Sequence, residues 1–135
     1  MESFGTSTSD VTPTVQPTES AEELYSTANQ YDNEKNYAKA LEYYRKAAEK
    51  GHFGACATLG FRYGTGLYDT EKNYPEAVKW YTLAAENGDK HSQSNLANCY
   101  YDGNGVAKDY VTALKWYLKS AEQGNEYAQR RAGEI

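Results

Sequence analysis

A histidine and a cysteine stand four residues apart, where a helix is expected to begin. His52 and Cys56 are separated by one helical turn, so both side chains would lie on the same helix face. A thiol near a helix N-terminus can have a lowered pKa, and a neighbouring imidazole could act as its base or share a zinc ion with it. No third orienting group and no further ligand set follow in the sequence, and free cysteine is often a small core residue. We therefore predict no catalytic residue, no metal site and no cofactor.

Two glycine-rich stretches are the other places that could hold a ligand. "GTG" covers residues 64–66 and "GNG" covers residues 103–105. A phosphate-binding loop needs such glycines between a strand and a helix, together with a lysine that reaches the phosphate. Neither stretch has that context, so we interpret both as turns.

The charge balance argues against nucleic acid and membrane surfaces as partners. The net charge is −5, and the first twenty residues hold three acids and no base. The remainder is nearly neutral, whereas nucleic-acid binding needs a clustered basic face and anionic lipids attract the same feature. No apolar run approaches the ~20 residues of a membrane span. We therefore expect neither nucleic-acid binding nor membrane insertion.

Residues 1–20 differ in composition from the rest of the chain. They contain nine Ser or Thr, two Pro and almost no large apolar residues, so they cannot bury enough surface to offset the entropy of ordering. We expect a disordered Ser/Thr-rich tail. It has neither a basic start nor an apolar signal core, which favours an intracellular, cytoplasmic protein. Ser20 and Glu23 have the spacing of a capping box, so helical structure is expected to begin there.

The rest of the chain repeats itself at intervals of 37 and 36 residues. The stretches "ALEYYRKAAEKG", "AVKWYTLAAENG" and "ALKWYLKSAEQG" end at Gly51, Gly88 and Gly124. A period in this range indicates a stack of similar units, each read here as a pair of helices. The glycines can take the left-handed conformation that ends a helix. Candidate N-caps of the second helices are Asn36, Asn73 and Asp109.

Large aromatic residues on the second helices alternate with small residues on the first. Ala77, Trp80 and Tyr81 follow the i, i+3, i+4 spacing of one helix face. Gly60 stands inside the preceding helix, where glycine costs about 1 kcal/mol against alanine, so it predicts a close crossing by a neighbouring helix. We expect the Tyr and Trp residues of the second helices, including Trp116, to pack over such small positions as the core.

The third copy, "LANCYYDGNGVAKDYVTALKWYLKSAEQG", resembles the Sel1-like repeat. That pattern reads Leu-Gly-x-x-Tyr-x-x-Gly-x-Gly-Val, then Ala-x-x-Trp-Tyr-x-x-Ala-Ala-Glu-x-Gly, and Ala97 stands where Gly is usual. The second copy matches in both helices but departs after Gly66, with one extra loop residue and without the second Gly and the Val. The first copy resembles a tetratricopeptide repeat, and "AQRRAG" resembles the opening of a fourth copy. Matching residues of the third copy are Leu96, Tyr100, Gly103, Gly105, Val106, Ala113, Trp116, Tyr117, Ala121, Glu122 and Gly124.

The resemblance implies an all-α fold: a right-handed α-solenoid of about three Sel1-like, tetratricopeptide-like helix pairs plus a C-terminal capping helix. The repeats would cover about residues 21–51, 52–88 and 89–124, with the cap at 125–135. It also implies a monomeric adaptor or scaffold without enzymatic activity, which binds a protein or peptide on the concave face lined by the first helices. The matching positions on that face are Tyr25, Asn29, Phe61, His91, Asn98, Tyr101, Tyr127 and Arg130.

An enzyme-associated regulatory subunit, or a small-molecule-binding and hydrolase-like repeat protein, is the alternative. Some disulfide-rich members of the family have been described as binding or hydrolysing β-lactams, and their cysteines bridge the two helices of each repeat. Cys56 and Cys99 occupy different positions in their copies, so that pairing is missing here. Chaperone-tail clamps of the related family use basic residues around an Asn. Asn29 fits this pattern, but Tyr25 stands where a Lys is expected, which disfavours that ligand.

Overall fold

A computed structural model describes residues 19–135, and residues 1–18, most of the predicted tail, lie outside them. No strand occurs between residues 19 and 135, and each helix packs mainly on the helices before and after it in the chain. This arrangement of three helix pairs and a last single helix confirms the expected all-α solenoid. The helices are α1 Ala21–Asn33, α2 Tyr37–Glu49, α3 Phe53–Thr65, α4 Tyr74–Glu86, α5 Lys90–Asp102, α6 Tyr110–Glu122 and α7 Glu126–Glu134. We call α1, α3, α5 and α7 the first helices, and α2, α4 and α6 the second helices.

The helix ends follow the predicted capping residues. The Ser20 backbone N–H donates to the Glu23 carboxylate at 2.8 Å, and the Glu23 N–H donates to the Ser20 hydroxyl at 3.0 Å, which confirms the capping box. The three second helices begin after side chains that each accept from the N–H three residues on, and they end before glycines with positive φ. These N-caps are Asn36, Asn73 and Asp109, and the glycines are Gly51, Gly88 and Gly124 with φ of 92°, 97° and 88°.

Close crossing of helices within a repeat explains the glycine in α3. A Cβ built on Gly60 would lie 2.5 Å from Cδ1 of Tyr81, a distance that no side-chain carbon tolerates. The tyrosine ring therefore lies directly against the backbone of α3, as the sequence predicted. The equivalent small positions of the other two repeats, Ala28 and Ala97, are also fully buried.

The two tryptophans differ in burial. Trp80 is 2% exposed, as expected of a core residue. Trp116 is only partly buried and packs against the core from outside, so the prediction that it is a buried core residue was wrong. The Arg45 guanidinium lies 6.0 Å from the Trp80 ring and is held by Glu76 at 3.0 Å. The position equivalent to Arg45 in the second repeat is Thr82, whose short side chain donates back to its own helix. The Trp116 ring therefore keeps a solvent-facing side.

No helix between residues 19 and 135 combines the length and the apolar character needed to cross a membrane.

Candidate functional site

The predicted binding residues all lie on the first helices. Five of the eight are exposed and three are partly exposed. The structure therefore brings all eight onto one set of helices. Some of them make hydrogen bonds or ring contacts with other residues of this chain, and others have side chains that project into solvent. The exposed ones are Asn29, Phe61, His91, Tyr127 and Arg130, and the partly exposed ones are Tyr25, Asn98 and Tyr101.

The two asparagines of this set hold buried tyrosines of the second helices. The Tyr44 hydroxyl donates to Oδ1 of Asn29 at 2.6 Å. In the third repeat, the Tyr117 hydroxyl donates to Oδ1 of Asn98, which also accepts from Tyr127 at 2.9 Å. Burial raises the pKa of Tyr44 and of Tyr117 to about 12, so both hydroxyls remain neutral donors near pH 7. Each asparagine therefore has its carbonyl occupied and offers a partner chiefly its amide nitrogen.

A buried arginine covers the tyrosine of the first repeat. Arg62 is 3% exposed, and its Nη2 lies 2.5 Å from Oδ1 of Asp32. Its guanidinium carbon is 5.0 Å from the ring centroid of Tyr44 and 4.7 Å from that of Tyr68, within the range of cation–π attraction. Tyr68 comes from the loop after α3, where it and Asp69 have φ of +57° and +56°. This backbone is strained for residues other than glycine, and it places the Tyr68 ring over Arg62.

A second arginine occupies the equivalent place in the third repeat. Nε of Arg131 donates to the Tyr117 hydroxyl at 3.3 Å. The Arg131 guanidinium lies 5.5 Å from the Tyr117 ring and 4.5 Å from the Tyr101 ring. We call the space over the buried second-helix tyrosine, between the first helix of its own repeat and the next first helix, an arginine slot. The slots of the first and third repeats are filled by arginines of this chain.

The aromatic members of the predicted set are largely fixed by neighbours. The Tyr25 ring stacks on His52 with centroids 4.1 Å apart. Tyr101 packs at 4.9 Å on Tyr110, and Tyr127 meets Tyr117 edge-on at 6.4 Å. Each of these three rings therefore packs on a defined aromatic neighbour of this chain.

Phe61, His91 and Arg130 are the members of the set that project freely. Phe61 is 41% exposed, although its position is equivalent to those of Asn29 and Asn98. His91 is exposed, and the contact that Arg130 makes within residues 19–135 is a cation–π contact of 5.7 Å with Tyr127. Phenylalanine and arginine are both enriched in protein interfaces, and arginine is among the residues that most often carry the binding energy.

The histidine and cysteine that could do chemistry are both engaged in structural roles. Nδ1 of His52 accepts from the Ala55 N–H at 3.0 Å as an N-cap, so Nε2 must carry the proton and donates to Glu22 at 3.0 Å. No ring nitrogen is left to act as a base for Cys56, which is 1% exposed and whose pKa is raised by burial. Sequence reasoning missed the capping role of His52. The equivalence of His52 with the N-caps Asp89 and Asn125 could have shown it.

Both thiols are expected to be unreactive in the folded protein. Cys99 is 6% exposed, and burial together with the Asp102 carboxylate raises its pKa to about 11. At pH 8 an aromatic disulfide reagent should label native Cys99 about two orders of magnitude more slowly than free cysteine, because the thiolate is the nucleophile. Labelling of native Cys56 should also be slower than that of free cysteine, since burial raises its pKa and blocks access. Two thiols should react rapidly once denaturant is added. Rapid labelling of Cys56 before unfolding would contradict the burial described here.

No group of three or more potential His, Cys, Asp or Glu metal ligands comes together between residues 19 and 135.

The second helices of the described part of the chain carry a cavity that sequence reasoning missed. It has a volume of about 510 Å³ and lies between the ends of α4 and α6. The partly exposed ring of Trp116 lines it together with Lys115 and Lys119. The signal was present in Thr82, whose small side chain cannot cover Trp116 as Arg45 covers Trp80. Over the Trp116 ring lie instead the ammonium groups of Lys115 and Lys119, at 5.9 and 5.6 Å.

Comparison with known proteins gives consistent results for the family model and for solved structures. A model of the Sel1 repeat matches residues 21–52, 54–89 and 90–125. Two structures superpose with a TM-score of 0.77. One is c5321, a protective antigen present in uropathogenic Escherichia coli strains that displays an SLR fold, at 37% identity over 84% of this chain. The other is a Sel1 repeat protein from Oxalobacter formigenes, at 34% identity over 85% of this chain and 89% of its own.

A third structure, Helicobacter pylori cysteine rich protein B, is 31% identical over 67% of this chain and 68% of its own, with a TM-score of 0.61. The present chain spans only about a quarter (25%) of the length of c5321. The comparison with curated proteins gave no match.

Proposed function

Because the chain belongs to the Sel1 repeat family, we propose that it is a non-enzymatic adaptor whose first helices bind a protein or peptide partner. The observation that carries this proposal is the position of Phe61. In the other two repeats this position holds an asparagine that bonds to a buried tyrosine. In the second repeat it holds a phenyl ring that is 41% exposed and cannot make this hydrogen bond to the tyrosine of its repeat.

The charge and shape of the same face support the proposal. The exposed side chains of His91 and Arg130 lie on the first helices that follow α3, so an aromatic anchor and two polar or cationic groups share one side of the stack. The rings of Tyr25 and Tyr101 are held in place by their neighbours. A surface that is already ordered loses little conformational entropy when a partner binds.

The proposal includes an intracellular location and a monomeric state. Cys56 and Cys99 are both free thiols, as is usual for proteins of reducing compartments. An enzymatic or small-molecule role receives no support from the described residues, because His52 is committed to capping and both thiols are buried.

Affinity capture from cell lysate with matched variants tests the proposed surface. Phe61→Ala combined with His91→Ala should reduce capture of the principal partner at least ~10-fold, because interface energy usually rests on a few anchors. Neither side chain fills the core, so circular dichroism and the unfolding midpoint should remain unchanged.

Leu83→Ala combined with Leu118→Ala is the control pair. These side chains are 39% and 47% exposed on the second helices, so their loss removes exposed apolar surface of comparable size. Capture should be unaffected. If the leucine pair abolishes capture and the Phe61 pair leaves it intact, the partner uses the second-helix surface around Trp116 and the proposal is wrong.

A further inference from the structure

We propose that the arginine slot of the second repeat, which no arginine of this chain fills, binds an arginine side chain of a partner protein. This inference rests on the proposed binding function and assigns a specific side-chain pocket to it. The first and third slots are the template, since in both of them a guanidinium covers a buried second-helix tyrosine.

The second slot contains a cavity of about 160 Å³. Its walls include the rings of Tyr74 and Tyr81, and its lining also includes Asn95, Cys99 and Asn104. Tyr81 occupies the same repeat position as Tyr44 and Tyr117. Tyr74 is equivalent to Tyr37, whose ring lies 5.9 Å from the Arg62 guanidinium in the first slot.

The positions that supply the arginine elsewhere line this cavity with smaller side chains. Arg62 is the tenth residue of α3, and the tenth residue of α5 is Cys99. Arg131 is the sixth residue of α7, and the sixth residue of α5 is Asn95. Both replacements are much shorter than arginine, so the space that a guanidinium occupies in the other two slots stays open here.

The first helix of the second repeat, α3, also leaves space for a guanidinium in the slot. Asp32, which pairs with Arg62, has its counterpart in Gly64. A Cβ on Gly64 would lie 3.0 Å from the Tyr81 hydroxyl oxygen, so any larger residue would intrude on the slot. The counterpart of Asn29 is Phe61, which cannot accept a hydrogen bond from Tyr81.

The Tyr81 hydroxyl consequently has no hydrogen-bond partner among residues 19–135, and it faces the slot, through which solvent can reach it. Burial also raises its pKa, so it remains a neutral phenol that can accept a hydrogen bond. In the third slot the equivalent hydroxyl accepts from Nε of Arg131. An incoming guanidinium would supply the same donor to Tyr81 and stack against its ring.

A carboxylate close to the wall of this slot attracts a cation. Asp102, at the end of α5, makes no ion pair with any residue from 19 to 135, and its field contributes to the raised pKa of Cys99 on the cavity wall. The Lys72 ammonium lies 5.4 Å from the Tyr74 ring, but no Lys or Arg among residues 19–135 lines the cavity itself. Residues 1–18 contain neither Arg nor Lys, so that segment cannot provide a guanidinium. Thr65 at the cavity is exposed and Asn95 and Asn104 are partly exposed, so a partner side chain can enter from solvent.

Blocked tripeptides, acetyl-Gly-Xaa-Gly-amide, provide a direct probe of the slot. Xaa is arginine, lysine or citrulline, the last being a neutral side chain of almost the same shape as arginine. In nitrogen-15 NMR of the full chain, the arginine peptide should shift the side-chain amide signals of Asn95 and Asn104 saturably. Citrulline should bind at least ~10-fold more weakly because it lacks the charge. Lysine should also bind more weakly because it cannot stack as a planar group.

Two variants complete the experiment. Cys99→Arg should place a guanidinium in the slot from within the chain and abolish the peptide-induced shifts. Tyr81→Phe keeps the ring but removes the acceptor, and it should weaken binding of the arginine peptide several-fold. If Cys99→Arg does not fold, the affinity of Tyr81→Phe for the arginine peptide tests the proposal on its own.

The proposal is overturned if citrulline binds as well as arginine, or if folded Cys99→Arg still binds the peptide. It is also overturned if Tyr81→Phe binds like the parent protein, or if the arginine peptide shifts neither amide up to roughly 20 mM. Such a result, with capture still dependent on Phe61, would leave the adaptor function standing without this pocket.

Discussion

Trp80→Ala is expected to lower the free energy of unfolding by about 3–5 kcal/mol, the range found when a large buried aromatic side chain is removed. Trp80 is 2% exposed and packs in the same cluster as residues of the first repeat. Its loss would therefore leave a cavity at the junction between two repeats, where neither repeat can collapse to fill it. Chemical denaturation followed by far-ultraviolet circular dichroism measures the change.

Trp116→Ala provides the matched comparison. This tryptophan holds the same repeat position but is only partly buried, beside a cavity that is already present. Its replacement should cost less than half as much as that of Trp80. If both variants lose the same free energy of unfolding, the two tryptophans are equally buried, contrary to this description.

Asp32→Ala is expected to destabilise the protein by about 3 kcal/mol, because it leaves a buried guanidinium without its counter-charge. Arg62 is 3% exposed, its Nη2 lies 2.5 Å from Asp32, and its Nη1 already has no hydrogen-bond partner within the described residues. The three aromatic rings around Arg62 can stabilise the charge only in part. Denaturant titration at neutral pH provides the measurement.

The double variant Asp32→Ala with Arg62→Met distinguishes the charge effect from lost packing. Methionine fills much of the arginine stem volume without a charge, so the double variant should recover most of the stability that Asp32→Ala loses. If the double variant is less stable than Asp32→Ala alone, the Arg62 guanidinium is stabilised by its rings even without the carboxylate. The ion pair would then not be the main contribution.

The sequence predicted the helices and their ends because these depend on local signals. Capping side chains such as Asn73 and chain-reversing glycines such as Gly88 act within a few residues of the helix end. The close crossing at Gly60 was also predictable, since a glycine inside a helix needs a packing reason. Three copies in register made each signal recognisable three times.

The contents of the slots were not predictable, because they depend on side chains far apart in the sequence. Arg62 meets Asp32 thirty residues away, and it meets Tyr68 only because the second-repeat loop departs from the usual pattern. The missing arginine cover of Trp116 likewise follows from a single exchange, Thr82 for Arg45, on a neighbouring helix. The repeat pattern defines which positions face each slot. The side chains at those positions determine whether the slot is filled by this chain or stays accessible to a partner.

Hydrogen–deuterium exchange on the complex with the captured partner tests the central claim that the first helices are the binding surface. The account predicts slower exchange in α3 and α5 around Phe61 and Asn98 on partner binding, with α4 and α6 near Leu83 and Leu118 unchanged. Protection confined to α4 and α6, around the cavity beside Trp116, with no change in the first helices, would contradict it.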